Sequence, residues 1–133
     1  MVLPVLLVLA VFVVQTLLPG RFREPAVDGA KGRLKENLGN RDHMRPLTVV
    51  GERATRALEN MHEALPVFLA LALLNMIVGT AAGMAVTGAT IFLIARIVYV
   101  GIYMAGVPVV RTLVWGVGWV GLAMMIVPLI DKI

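Results

Sequence analysis

Seventeen residues near the middle of the chain, ERATRALENMHEALPVF at 52–68, put unusual chemistry into an apolar sequence. At ~100° per residue, Arg53, Arg56, Asn60 and Glu63 fall at roughly 0°, 300°, 340° and 280° of a helix, one narrow face. His62 lies at roughly 180° and points elsewhere. Further on, FLIARIVYVGIY places Arg96, Tyr99 and Tyr103 at roughly 0°, 300° and 340°, with Phe92 at roughly 320°. Arg111 and Thr112 open the next apolar run, and Trp115 follows one turn deeper. Guanidinium groups bind carboxylates through forked pairs of hydrogen bonds. A carboxylate such as Glu63 accepts from an ammonium. Glu52 precedes Arg56 by four residues, the favourable order for a helical ion pair, and Glu59 offers an alternative partner.

The rest of the inventory excludes other chemistries. The chain has no Cys and no Ser, so it has no disulfide, thiolate metal site, cysteine nucleophile or serine nucleophile of its own. His43 and His62 are too far apart in sequence for a local metal pair, and no metal is expected. No phosphate-binding glycine loop, dinucleotide fingerprint or HExxH motif is present.

The elements that carry these residues must cross a membrane. Of 133 residues, 59% are hydrophobic and only 15% charged, against about 25% in a soluble domain. Mean hydropathy is +0.90. That is apolar material for about four spans of ~20 residues. The charge-free runs place them at about 2–19, 49–78, 84–105 and 109–130, in one membrane domain over 1–133. Pro19-Gly20 is expected to end the first, GTAAG at 79–83 to turn the chain, and Gly106-Val107-Pro108 to break it again. The first run lacks the basic start and small-residue cleavage site of a signal peptide, and reads as a retained helix. The fold class is therefore an all-α integral membrane four-helix bundle.

Residues 21–47 form a polar loop, with a short helix near Arg33–Leu38. It holds seven basic residues: Arg21, Arg23, Lys31, Arg33, Lys35, Arg41 and Arg45. The 79–88 turn holds none. Basic loops stay in the cytoplasm, so the termini face away from it. The net charge of +4 then reflects topology rather than nucleic-acid binding. A bacterial inner membrane fits this layout.

Charged groups within spans are costly and usually face protein or a cavity. Each also has a plainer reading. Arg53 and Arg56 can snorkel to headgroups. Tyr99 and Tyr103 suit an interfacial aromatic belt, and Arg111 a basic cytoplasmic flank. Glu63 and Arg96 can clasp two helices together. Asn75, at roughly 40° on the second-span face, reads as an interhelical hydrogen-bonder. Gly116, Gly118 and Gly121, with Gly101, read as close-packing surfaces. The eight Met residues read as lipid-facing or core filler.

Taken together, ERATRALENMHEALPVF, ARIVYVGIY at 95–103 and the Arg111-Thr112 pair resemble the MAPEG family, the membrane-associated proteins in eicosanoid and glutathione metabolism. Its members show a similar ERxxRAxxNxxExxPxF and RxxYxxxY. The resemblance implies a four-helix bundle assembled as a homotrimer, with glutathione as bound co-substrate at each subunit boundary. It implies Arg56, Asn60 and Glu63 as glutathione contacts with Arg53 nearby, and Tyr99 and Tyr103 on the tripeptide. Arg96 would be structural or ligand-side. Arg111 would hold the thiolate, with Thr112 where some members have Ser. Arg21 and Arg23 resemble a basic patch after the first helix. The chain departs from some members at Ala64 and Trp115, where they carry aromatic residues.

The activity so implied is transfer or use of the glutathione thiolate on a hydrophobic small-molecule electrophile or peroxide arriving from the lipid bilayer. A free thiol has a pKa of about 8.5, and a nearby guanidinium raises its thiolate fraction. Two alternatives belong to other classes. One is a catalytically silent relative binding glutathione or lipid. The other is a small transporter, which should carry polar groups through the whole membrane depth.

Overall fold

The computed structural model describes residues 1–26, 29–40 and 44–132. Arg41 and His43 of the polar loop lie outside the described residues, as does the side chain of Arg33. Five helices follow in order: α1 (Val2–Arg21), α2 (Gly29–Leu38), α3 (Val49–Val78), α4 (Met84–Ala105) and α5 (Pro108–Ile130). Four of them, all but α2, are long and apolar enough to cross a bilayer.

Pro19-Gly20 does not end the first helix. Both residues lie inside α1, which runs on to Arg21 and closes with Phe22 N–H donating to the Pro19 carbonyl at 3.2 Å. In the last turn of a helix a proline forfeits one hydrogen bond without blocking the residues after it, so it stops the helix two residues late. The short loop helix starts at Gly29, earlier than the Arg33 expected from sequence. Pro108 takes the first turn of α5, where its missing N–H costs nothing.

The chain entering α3 is tied to the chain leaving α1. Thr48 caps α3 by accepting from Gly51 N–H at 3.2 Å, and its hydroxyl donates to the Phe22 carbonyl at 2.9 Å. Thr48 N–H reaches the same carbonyl at 2.9 Å, and Glu24 N–H reaches Pro46 at 3.1 Å. These bonds hold the basic end of the bundle closed.

At the opposite end of α3, Asn75 donates to the Leu71 carbonyl at 2.8 Å and across to Met125 of α5 at 2.9 Å. Its side-chain oxygen accepts from Thr80 at 2.8 Å. The amide is fully used, as a polar group in hydrocarbon must be.

Between these ends the core is apolar except for the buried side chains of Gln15 and Arg96. Phe68 of α3 stacks on Phe92 of α4, with centroids 4.7 Å apart and planes 9° from parallel. Val8, Met61, Leu122 and Met125 close around them. The outward faces are aliphatic instead: Leu17, Ile77 and Val109 are each at least 70% exposed. In water such a surface would aggregate, and in a bilayer it is solvated by acyl chains.

Helices α4 and α5 cross most closely at Gly88 and Gly121. A Cβ on Gly88 would meet the Gly121 carbonyl oxygen at 2.5 Å, and one on Gly121 would meet the Gly88 carbonyl oxygen at 2.7 Å. Gly118 faces Ala95 and Arg96 at ordinary contact distance. Gly101 and Gly116 do not pack as expected, since a Cβ on either would meet nothing within 4 Å. Gly101 lies at roughly 220° from Gly88 around α4, and Gly116 at roughly 140° from Gly121 around α5, so neither can reach the crossing.

Candidate functional site

Helix α3 has 30 residues, about 45 Å, against a hydrocarbon core of ~30 Å. Its first turns therefore overhang the apolar bundle, and Arg53 and Arg56 sit on that overhang. Helix α4 ends beside them with Tyr103, and the turn at Gly106 sends α5 back with Arg111 in its first turns. Arg53, Arg56, Tyr103 and Arg111 line one cavity of about 250 Å³, closed below by Val107 and Pro108.

The groups are held in different ways. Arg53 donates from Nη1 to the Met104 carbonyl at 3.2 Å. Arg56 pairs with Glu52 at 3.4 Å, and both side chains are more than half exposed, so the pair contributes little and the guanidinium stays available. Arg111 lies over the Tyr103 ring, its Cζ 4.7 Å from the centroid. Tyr103 meets Tyr99 edge-on at 5.4 Å, and Tyr99 is followed by Arg96 at 5.7 Å. Arg96 also covers Phe92 at 4.8 Å. A ladder of guanidinium and aromatic groups, in the order Arg111, Tyr103, Tyr99, Arg96 and Phe92, thus runs from the rim into the core. Ala57, fully buried between the two tyrosines and Val114, leaves the rings the room they need.

The remaining residues singled out in the sequence stand elsewhere. Asn60 donates to the Arg56 carbonyl of its own helix at 3.0 Å. Glu63 is exposed on the flank of α3. The expected clasp between Glu63 and Arg96 is not formed. Arg96 is only 2% exposed, and none of its three nitrogens has a hydrogen-bond partner among the described residues. Its guanidinium lies over Phe92 and beside Gly118, out of hydrogen-bond reach of Glu63. Thr112 donates to the Pro108 carbonyl at 3.2 Å and does not line the cavity. His62 packs edge-on against Phe12 of α1 at 5.2 Å. Arg21, Arg23 and Arg45 line a separate cavity of about 360 Å³, where Arg23 donates to the Arg45 carbonyl and Arg45 to the Glu24 carbonyl.

Helix order, the arginine-rich start of α3 and the arginine–tyrosine ladder of α4 are features of the whole chain rather than of one motif. The model of the MAPEG family matches residues 1–130. The chain belongs to the MAPEG family. No curated protein and no solved structure matches it. As a MAPEG protein it is a membrane protein of the glutathione and eicosanoid metabolism family.

Two parts of this MAPEG site escaped the sequence reading: the Met104 carbonyl that anchors Arg53, and the Gly106–Pro108 turn that forms the cavity wall. The Gly-Val-Pro break marked the turn but not its neighbour. No spacing rule links a residue on one helix to a carbonyl 51 positions away.

Proposed function

We propose that this MAPEG protein binds glutathione at the basic end of its bundle and uses the thiolate on a hydrophobic electrophile or peroxide from the bilayer. The observation that carries the proposal is the convergence of Arg53, Arg56 and Arg111 with Tyr103 on one cavity. Glutathione has two carboxylates, an ammonium and a thiol, and three guanidinium forks with a phenol suit its anionic groups. When bound it would supply a thiolate, its proton having passed to water, whose electron pair forms a bond to an electrophilic carbon while the leaving group departs with the electrons of the bond it breaks.

Arg111 stabilises the thiolate. Its guanidinium is fixed over the Tyr103 ring and partly shielded, so its charge acts more strongly than one in open water. Arg56 and Arg53 hold carboxylates. Asn60, partly buried, and Glu63, exposed, lie further along α3 and complete the tripeptide site, with Glu63 accepting from the ammonium. Tyr99, Arg96 and Thr112 support the site from the ladder and the α5 rim. The cavity in one copy, about 250 Å³, is smaller than the ~300–1,000 Å³ of small-molecule sites, so it suits a site completed by a neighbouring copy in the homotrimer that the family resemblance implies. A conduit is disfavoured, since the middle of the bundle is sealed by Phe68, Phe92 and Met61, all fully buried.

The test is titration of the purified protein in detergent with glutathione, read by calorimetry and by the ultraviolet absorbance of bound thiolate. Binding with a thiolate signal and turnover of a generic electrophile is the expected result. Arg111→Ala keeps affinity within a few fold and loses the thiolate signal. Arg56→Ala weakens binding by roughly 1–3 kcal/mol. Absence of binding overturns the proposal, and binding without turnover reduces it to a glutathione-binding protein.

A further inference from the structure

A second cavity lies on the adjacent face of α4, about 90° round the helix from the Arg96–Tyr99–Tyr103 stripe. It is a groove of about 340 Å³ between α1 and α4, lined by aliphatic side chains that include Leu7, Val14 and Leu18 of α1 and Ile97 and Val100 of α4. From Leu7 to Leu18 it follows α1 for ~16 Å. Val14 and Ile97 are each more than half exposed, so the groove opens on the outward surface of the bundle.

One lining residue breaks the pattern. Gln15 is only 3% exposed, and both its Nε2 and its Oε1 lack a hydrogen-bond partner among the described residues. It stands six residues before Arg21, the end of α1, about 9 Å below the basic rim. A primary amide buried in hydrocarbon without partners is costly, and native spans satisfy such groups. The amide offers two donors and an acceptor at one point of an otherwise aliphatic channel.

We infer that this groove binds a single-chain amphiphile from the bilayer, its chain along α1 and its head hydrogen-bonded to Gln15. The head must both donate and accept, which a hydroxyl or a protonated carboxyl group does. A phosphate does not suit the position: it cannot donate when ionised, and burying its charge below the rim has no compensating cation. An alkane fills the groove but leaves Gln15 unsatisfied.

The full chain in phosphatidylcholine nanodiscs tests this with a hexadecanol that carries a photoreactive diazirine in mid-chain. Labelled peptides should come from α1 and α4. Unlabelled hexadecanol should displace the probe on the order of tenfold better than 1-methoxyhexadecane, which accepts but cannot donate. Gln15→Leu should abolish that preference. Ile97→Trp, which leaves Gln15 in place and fills the groove, should abolish the labelling of α1 and α4, while circular dichroism and the thermal midpoint in the same nanodiscs report that either variant is folded. Labelling spread evenly over the outward faces of α1, α4 and α5, indifferent to both substitutions, overturns the inference, because the groove then holds only bulk lipid. A disulfide formed between two copies of Gln15→Cys overturns it in favour of a second copy covering the groove.

Discussion

The guanidinium of Arg53 occupies the space that a side chain at Gly106 would need. A Cβ there would collide with Nη1, Cζ and Nη2 of Arg53 at once. Gly106 also holds a left-handed backbone, φ +80°, as it ends α4. The left-handed backbone calls for glycine, and the absence of a Cβ leaves Arg53 the room to reach the Met104 carbonyl across the turn. The first turn of α3 is thereby locked to the α4–α5 connection that walls the cavity.

Gly106→Ala should therefore act on stability and on the site together. Backbone strain at a left-handed position costs about 1–3 kcal/mol, and the displaced guanidinium loses its carbonyl. The thermal midpoint in detergent should fall and glutathione affinity should fall with it. Arg53→Ala combined with Gly106→Ala should recover part of the stability, since the collision is gone, but none of the affinity. Full additivity of the two losses would show that the residues do not interact.

The two glycines at the α4–α5 crossing lead to a prediction of contrast. Gly88→Ala and Gly121→Ala each drive a methyl group into the opposing backbone and should destabilise the bundle by about 1–3 kcal/mol. Gly101→Ala and Gly116→Ala meet nothing and should be neutral or slightly stabilising, because alanine is the better helix former. Thermal unfolding of the four variants in one detergent decides it. Equal losses in all four would mean that the outward glycines are covered by another copy.

These glycines also show what the sequence could and could not convey. Period and charge pattern are properties of one helix, so the stripe of Arg96, Tyr99 and Tyr103, the Glu52–Arg56 pair and the hydrogen-bonding role of Asn75 were legible. Contacts between helices depend on how each is rotated and where the axes cross. Nothing in the spacing distinguishes Gly121 from Gly116, or joins Gly106 to Arg53. The clasp between Glu63 and Arg96 failed for the same reason: both lie on polar faces, but the rotation of the two helices leaves the carboxylate beyond hydrogen-bond distance of the guanidinium. Gln15, a single amide in a run of aliphatic residues, carries a signal only once its burial is known.

The loop charges lead to a prediction of orientation. Gly29 and Gly83 have positive φ, so a label is better placed at the exposed neighbours Lys31 and Ala82. The chain has no native Cys to interfere. In intact bacterial cells an impermeant thiol reagent should modify Ala82→Cys and spare Lys31→Cys, as the positive-inside rule requires. The reverse pattern would invert the bundle and put the basic cavity on the outside.

Arg96 gives the sharpest test of whether the ladder on α4 serves the ligand or the fold. A guanidinium carries five N–H donors and no acceptor. Here its neighbours are the π faces of Phe92 and Tyr99, and its nitrogens have no hydrogen-bond partner among the described residues. Cation–π contact contributes up to ~2 kcal/mol when desolvated, while removing the ion from water costs several. In a ligand-free copy Arg96 should thus be a net burden, tolerated because it has work at the site. Arg96→Met keeps the length and the apolar stem and removes the charge. It should raise the stability of the ligand-free protein by about 1–4 kcal/mol, seen as a higher thermal midpoint, and should shrink the further rise that saturating glutathione produces. A stability gain with the glutathione shift intact would make Arg96 irrelevant to binding. A stability loss would mean that the guanidinium is satisfied in the assembled protein, and that a neighbouring copy supplies the acceptor.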